Sequence, residues 1–268
     1  PLTVGGGIRE VSDVDAMLGV STINTVVIVT RHDSHTHFAS RSLAAGKHVF
    51  VEKPVAINLT GLSELQTAYA AAHHSGAGPQ LMVGFNRRFS PQVRRIKTLL
   101  QTVKEPKSFI MTMNAGAIAA SHWTQDHAVG GGRIIGEACH FIDLMQFFTG
   151  SEPVRVFAEC ISTSNDKITP ADNISIVVKF KDGSVGNLTY LANGDKGMPK
   201  ELIEVFGGSR IGVINDFRDG LIYKSGKTVK LKSSGKGHKE EVDAFIGALK
   251  AGQESPISFR SICLTTLT

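Results

Sequence analysis

The sequence predicts an α/β fold followed by an α+β fold: a parallel sheet first, then a mostly antiparallel open sheet. Three observations carry this. Short apolar, β-branched runs alternate with amphipathic helical stretches through the first third of the chain. Beyond Phe85 the texture changes to strands with period-two alternation and a clear hairpin signal. The 268 residues are 41% hydrophobic and 20% charged, enough apolar matter for a buried core in a water-exposed protein.

The elements follow in order. Thr25-Val-Val-Ile-Val-Thr30 is a fully apolar run of the kind a buried parallel strand requires. His35 to Gly46 is Ala-rich and amphipathic, with Gly46 as a helix stop. His48–Val51 is a second buried strand. Asn58 or Thr60 caps a helix running to about His74. Gln80–Gly84 is the third strand. Strand–helix–strand connections of this kind are right-handed crossovers in a parallel sheet. A helix then runs from Pro91 to about Gln101. Another is expected over Gly131–Thr149, opened by a glycine run. Ile174–Phe180, Asp182-Gly183 and Val185–Leu191 form a hairpin signature. Leu202–Phe206, Arg210–Ile214, Leu221–Lys224 and Lys227–Leu231 continue the sheet. Ser233–Gly237 reads as a short flexible link, and a last helix spans His238–Ala251. The division expected is 1–88 for the partial parallel domain, 89–235 for the α+β domain and 236–268 for a C-terminal helical segment.

Composition narrows the function. There are 29 basic and 24 acidic residues, a net charge of +5, and a pI of about 9.1. The basic residues are scattered, without the aromatic-interleaved stripe of a nucleic-acid binder, so no nucleic-acid partner is expected. No apolar run reaches the roughly 18 residues of a membrane span, and the opening residues have no signal-peptide pattern. Cys139, Cys160 and Cys263 are far apart and odd in number, which fits a reducing, cytoplasmic setting.

The chemistry-bearing residues gather at strand ends, where open parallel sheets bind ligands. They are Thr30-Arg31-His32-Asp33-Ser34-His35, Glu52-Lys53-Pro54 and Gly84-Phe85-Asn86-Arg87-Arg88. Lys53 directly follows an apolar strand and is stiffened by Pro54; a lysine so held can stabilise negative charge on a reacting oxygen. A surface lysine in a turn would show the same spacing. Glu137, His140 and Asp143 are spaced three apart and share one face of an expected helix, where two carboxylates can hold a histidine in one tautomer. A self-satisfied polar face reads the same way.

Together, Glu52-Lys53-Pro54, the glycine-led helix with His140 and Asp143, and the two-part layout resemble the glucose–fructose oxidoreductase/inositol dehydrogenase (Gfo/Idh/MocA) family over about residues 12–268. Gly-Phe-Asn-Arg-Arg-Phe, His122-Trp-Thr-Gln125 and Gly-Gly-Gly-Arg-Ile-Ile-Gly-Glu are most similar to bacterial two-part oxidoreductases, in which such a domain follows a zinc-alcohol-dehydrogenase-like domain. The resemblance implies a truncated Rossmann-like sheet, NAD or NADP as cofactor, a small sugar-type substrate, and a homo-oligomer formed through the large sheet. It implies Lys53 as the active-site lysine beside the nicotinamide and His140 as the catalytic histidine. Asp143 would orient His140 or touch substrate. Thr30 and His35 match a Thr-Pro-Asn-x-x-His strand end that borders the cofactor, with Arg31 and His32 replacing Pro and Asn. Glu52 and Pro54 would flank the nicotinamide; Asn86, Arg87, Trp123 and Gln125 would line the cleft.

Two departures stand out. Several dehydrogenases of the family carry an aspartate four residues before the histidine, where this chain has Gly136 followed by Glu137. The family's opening Gly-x-Gly-x-x-Gly segment is also missing: Gly5-Gly6-Gly7-Ile8-Arg9-Glu10 is not that fingerprint. Residues 1–9 instead resemble a phosphate-loop segment of the cyclase subunit of imidazole glycerol phosphate synthase. The leading expectation is an NAD(P)-dependent oxidoreductase transferring hydride to or from a sugar derivative. A non-catalytic sugar-nucleotide or cofactor-binding module is the second reading. A metal-dependent hydrolase built on His32, His35 and His37 is the third.

Overall fold

The computed structural model describes residues 13–74, 76, 78–165, 168–232 and 235–268; residues 1–9 therefore lie outside the description. A short helix, α1 (Val14–Leu18), leads into a three-stranded parallel sheet in the order β1 (Thr25–Ile28), β2 (His48–Val51), β3 (Leu81–Val83). These are the three apolar runs of the sequence, and Val49, Val51, Leu81, Met82 and Val83 are buried. The crossovers are α2 (His35–Ala44), preceded by a 3-10 turn at His32–Ser34, and α3 (Leu59–Ala72). Asn58 rather than Thr60 caps α3: its side chain accepts from the Gly61 amide at 2.8 Å.

The second layer is an eight-stranded sheet. Its strands are β4 (Ser108–Asn114), β5 (Pro153–Cys160), β6 (Asn173–Phe180), β7 (Val185–Leu191), β8 (Glu201–Gly207), β9 (Arg210–Asn215), β10 (Asp219–Lys224) and β11 (Lys227–Leu231). Their order is β11-β10-β9-β8-β4-β7-β6-β5. Every neighbouring pair is antiparallel except β4 with β7, which run parallel. The expected hairpin is β6–β7. Strands β4 and β5 were not marked by the sequence.

One face of this sheet carries a core built from Phe109, Met111, Leu188, Tyr190, Ile203 and Val205. Helices α4 (Pro91–Leu100) and α5 (Cys139–Thr149) cover it. The approach is close: a Cβ on Gly186 would lie 2.3 Å from Met145 Sδ, so a larger residue in β7 would displace the Met145 side chain of α5. The opposite face is open. Strand register places Phe157, Val177, Asn187 and Ile110 in one cross-strand row, and the three apolar members are 65%, 38% and 49% exposed.

The chain's last part is helical, with α6 (His238–Ala251) and α7 (Phe259–Leu267). Phe245, Ile257, Ile262 and Cys263 share one core with Phe50, Leu81 and Val83 of the parallel sheet. The Ser233–Gly237 stretch is anchored where it is described, because Asn86 Nδ2 donates to the Lys236 carbonyl at 3.0 Å; Ser233 and Ser234 lie outside the description. Phe245 meets Phe50 at 5.7 Å between ring centroids. Phe245→Ala is therefore expected to lower the unfolding free energy by about 3–5 kcal/mol, the range for emptying an aromatic core site. Urea denaturation of the two proteins checks it.

Candidate active site

Three strand ends and one irregular helix build the site. At the β1 end, His35 is wholly buried and both ring nitrogens are engaged: Nδ1 with the Pro54 carbonyl at 2.8 Å, Nε2 with the Thr30 carbonyl at 3.0 Å. His35 thus ties the β1 end to the β2 end and leaves no ring nitrogen over for a ligand. Thr30 Oγ1 lies 2.6 Å from Ser34 Oγ. At the β2 end, the Lys53–Pro54 peptide is cis. Glu52 packs against Gly84 of the β3 end, where an added Cβ would come within 3.1 Å of its carboxylate. Lys53 crosses the cleft, and its Nζ donates to the Gly136 carbonyl at 2.9 Å.

Gly136 belongs to the helix that the sequence read as a single α-helix from Gly131 to Thr149. The structure differs. Gly131 and Gly132 take φ of 75° and 85°, a left-handed backbone that suits glycine, and Ile134–Ala138 is a π-helical turn before α5 begins at Cys139. Glu137 therefore lies in the π turn, whereas His140 and Asp143 both lie in α5, and each carboxylate takes a basic partner of its own. Glu137 turns to Arg133 at 3.4 Å and Lys200 at 4.0 Å. Asp143, 1% exposed, gives both carboxylate oxygens to Arg88. The carboxylate–histidine–carboxylate face expected from spacing is not formed.

His140 stands one turn after Gly136 and is 5% exposed, with its Nδ1 buried and lacking a hydrogen-bond partner. Its pKa lies well below the usual histidine value. Burial is the main cause, reinforced by the cationic groups of Arg87, Lys53, Lys236 and His238. His140 is therefore neutral at physiological pH.

The β3 end serves assembly more than the cleft. Asn86 bonds the Lys236 carbonyl and lies 3.2 Å from His238 Nε2, both at the start of α6. Arg87 donates through Nε and Nη2 to Glu201 of β8, each at 2.8 Å. Burial alone would raise the Glu201 carboxyl, but Arg87 and Lys236 outweigh it and hold it at about 2. The sequence reading also missed Glu241. It is 2% exposed on α6, and burial together with Glu52 and Asp143 pushes its carboxyl up to about 8. In the sequence it is one acid of an ordinary acidic first turn.

Trp123 and Gln125 sit on a 3-10 turn that backs the glycine run; a Cβ on Gly130 would fall 2.4 Å from Thr124 Cα. Trp123 meets the His32 ring edge-on at 4.7 Å, and Arg31 lies over the indole at 5.8 Å. Gln125 Nε2 donates to Asp172 at 2.7 Å. Beside them opens a cavity of about 440 Å³ lined by Gln125, His127, Arg133, Thr169 and Asp172. The histidine triplet does not converge: His32 Nδ1 faces the Gly130 carbonyl, His35 is engaged as above, and exposed His37 faces Arg41. Among the described residues, no three His, Cys, Asp or Glu side chains are grouped to hold a metal.

A nicotinamide fits the donor set. The cleft offers an ammonium with donors to spare, an uncharged imidazole with an unpartnered nitrogen, and a bare glycine strap from Gly130 to Gly132. A pyrophosphate cradle of Gly-x-Gly-x-x-Gly type does not occur among the described residues.

Comparison with known proteins agrees. Residues 6–84 match the family model described as "Oxidoreductase family, NAD-binding Rossmann fold", and residues 95–209 match the GFO/IDH/MocA C-terminal domain. The cofactor class is thereby the nicotinamide dinucleotide expected from the sequence. An uncharacterised Bacillus subtilis oxidoreductase, YrbE, is 25% identical over 91% of this chain and 73% of its own length. Inositol 2-dehydrogenase of Rhizobium meliloti is 24% identical over 91% of this chain and 76% of its own. The fold also matches UDP-N-acetylglucosamine 3-dehydrogenase from Acidithiobacillus ferrooxidans with a TM-score of 0.78 and 21% identity, over 97% of this chain and 80% of that one. No helix among the described residues is long and apolar enough to cross a membrane.

The Arg87–Glu201 pair sets a pH dependence. A folded-state pKa depressed from 4.5 to about 2 gives stability that is complete above pH 4.5 and lost as pH falls toward 2. Glu201→Gln should lose about 3–5 kcal/mol at pH 7, because Arg87 is left buried without its counter-charge. It should also flatten the acid limb between pH 4.5 and 2. Urea unfolding as a function of pH reads both effects.

Proposed function

We propose that this chain, which belongs to the GFO/IDH/MocA oxidoreductase family, is an NAD(P)-dependent oxidoreductase acting on a sugar or sugar derivative by hydride transfer. The observation that carries this reading is the Lys53 ammonium on the Gly136 carbonyl, one turn ahead of a buried, uncharged His140. Lys53, Glu52 and Pro54 would hold the nicotinamide end of the cofactor, with Thr30 and Arg31 toward its ribose side. When bound, the nicotinamide supplies the hydride acceptor or donor. His140, kept neutral, is in the form that accepts a proton from a substrate hydroxyl. Lys53 favours the negative charge that grows on that oxygen. Asn86, Arg87, Glu137 and Asp143 position these groups through their partners. The cavity beside Gln125, Arg133 and Asp172 offers a few polar groups to a hydroxyl-bearing ring, and the relatives named for inositol and a nucleotide sugar support that class.

Gly136 favours a second reading, a binding module of the same fold that takes a sugar nucleotide or the cofactor without turnover. The three free cysteines support a cytoplasmic setting. The apolar row of Phe157, Val177 and Ile110 supports pairing of two copies through the open sheet face.

Trp123 is the only tryptophan, so quenching of its emission and energy transfer to NADH or NADPH report cofactor binding. Saturable binding is expected for the chain, or for the chain extended by a glycine-loop segment. Binding by neither would overturn the reading. Lys53→Met and His140→Ala should each lower turnover of a sugar substrate by about 10²–10⁴-fold, the range for losing an acid–base or charge-stabilising group. Unchanged rates would sink the assignment of these residues, and binding with no turnover at all would select the module. For the pairing, light scattering should give a mass above one chain that falls to one chain in Phe157→Lys.

A further inference from the structure

A side chain at position 136 would press on the His32 ring. A Cβ built on Gly136 would lie 3.1 Å from His32 Cε1 and 3.7 Å from His32 Nδ1. Its φ lies outside the left-handed region, so backbone conformation does not explain the glycine. His32 is 8% exposed, and its Nδ1 sits 2.8 Å from the Gly130 carbonyl oxygen, an acceptor. In the neutral ring Nδ1 therefore carries the hydrogen, and Nε2 keeps the lone pair. Nε2 makes no hydrogen bond among the described residues and is not fully enclosed, so its lone pair is left for a ligand. Lys53 Nζ holds the carbonyl of the same Gly136 that His32 packs against.

The groups around the ring keep it uncharged. Burial lowers its pKa most; Lys53 and His35 lower it further, against the Gly130 carbonyl and Asp33. Arg31 and His122 reach it only through Trp123, and Glu137 is turned to Arg133 and Lys200. A neutral acceptor next to an ammonium can bind both a hydroxyl hydrogen and, through Lys53, the oxygen of a neighbouring hydroxyl.

We propose that His32 is a substrate-positioning residue: its Nε2, beside the Lys53 ammonium, accepts a hydrogen bond from a substrate hydroxyl, and Gly136 is small because the imidazole fills the space of a side chain there. The hydroxyl is that of the sugar-type substrate, and to that extent the inference rests on the hydride-transfer reading.

Two measurements need neither substrate nor cofactor. The first follows Trp123 emission from pH 4 to 8 in a His122→Gln background, which removes the other imidazole beside the indole. A quenching step with a midpoint below 6.5, abolished by His32→Ala, is expected; a step that survives His32→Ala, or one at or above the ordinary value, overturns the neutral, cleft-facing ring. The second compares melting temperatures. Gly136→Asp should cost clearly more in the parent than in His32→Ala, and equal costs overturn the shared space. With a turned-over sugar, His32→Phe keeps the ring but not the lone pair and should raise KM about tenfold, the worth of one hydrogen bond. An unchanged KM overturns the positioning role. Absent turnover with both ligand-free results as expected counts against the hydride-transfer reading and not against the His32–Gly136 pairing.

Discussion

Two consecutive arginines decide where the rest of the site stands. Arg87 and Arg88 lie on the short turn after β3, and they leave it for different cores: Arg87 for Glu201 on the large sheet, Arg88 for Asp143 on α5. All four side chains are 9% exposed or less. Buried pairs of this kind add little net stability over apolar replacements, since desolvation consumes most of the Coulombic gain. Their value is geometric. A bidentate guanidinium–carboxylate pair tolerates little rotation, so the two pairs fix the parallel sheet against both the eight-stranded sheet and its covering helix. His140 rides on that helix. The same Arg87 charge that anchors Glu201 follows burial as a cause of the low His140 pKa, so position and protonation state depend on one contact.

With the two layers fixed, the π turn sets the details. One extra residue in a helical turn rotates the side chains beyond it by about 100° relative to those before. Glu137, within that turn, pairs with Arg133 four residues back, and Arg133 in turn donates to the Gly116 carbonyl at 2.6 Å. The same turn sets the Gly136 carbonyl within reach of Lys53. Two residues of unlike chemistry, an ammonium from a strand end and an imidazole from a helix, thus serve one cleft although 87 positions of sequence separate Lys53 from His140.

What the sequence made legible follows from the range of each interaction. Strands β2 and β3 were readable because they are buried almost throughout, which forces a continuous apolar run; β1 was readable from its β-branched run alone, since Val27 within it is 51% exposed. The Asn58 cap and the β6–β7 hairpin were readable because they are local. Strand β4 was not: Phe109, Met111 and Met113 alternate as buried residues, but the exposed Ile110 between them blurs the period. Strand β5 is exposed along nearly its whole length, so it has no buried face to announce. The strand ends and Lys53 were singled out from local sequence alone, and Lys53 Nζ reaches the Gly136 carbonyl. The pairing of Arg87 with Glu201 and of Arg88 with Asp143 left no local sign in the sequence. Glu241 escaped because its burial comes from packing between α6 and the segment after β3 and leaves no mark on its own helix.

On the hydride-transfer reading, the excess of positive charge about His140 opposes its role in one respect, since it makes the imidazole a weaker base. The opposition is only partial. Lys53 and the other cations act on the substrate oxygen as well, and a field that disfavours imidazolium also favours alkoxide. Proton transfer between two groups in one field depends on the difference between their affinities, and that difference is kept when the same cations lower both. Burial, the largest cause of the low His140 pKa, removes competing water from the transfer as well. A neutral His32 beside Lys53 adds no further positive charge to this balance, whereas a carboxylate at position 136 would cancel part of it. The histidine–glycine exchange therefore leaves the Lys53 ammonium with its full charge to spend on the substrate oxygen.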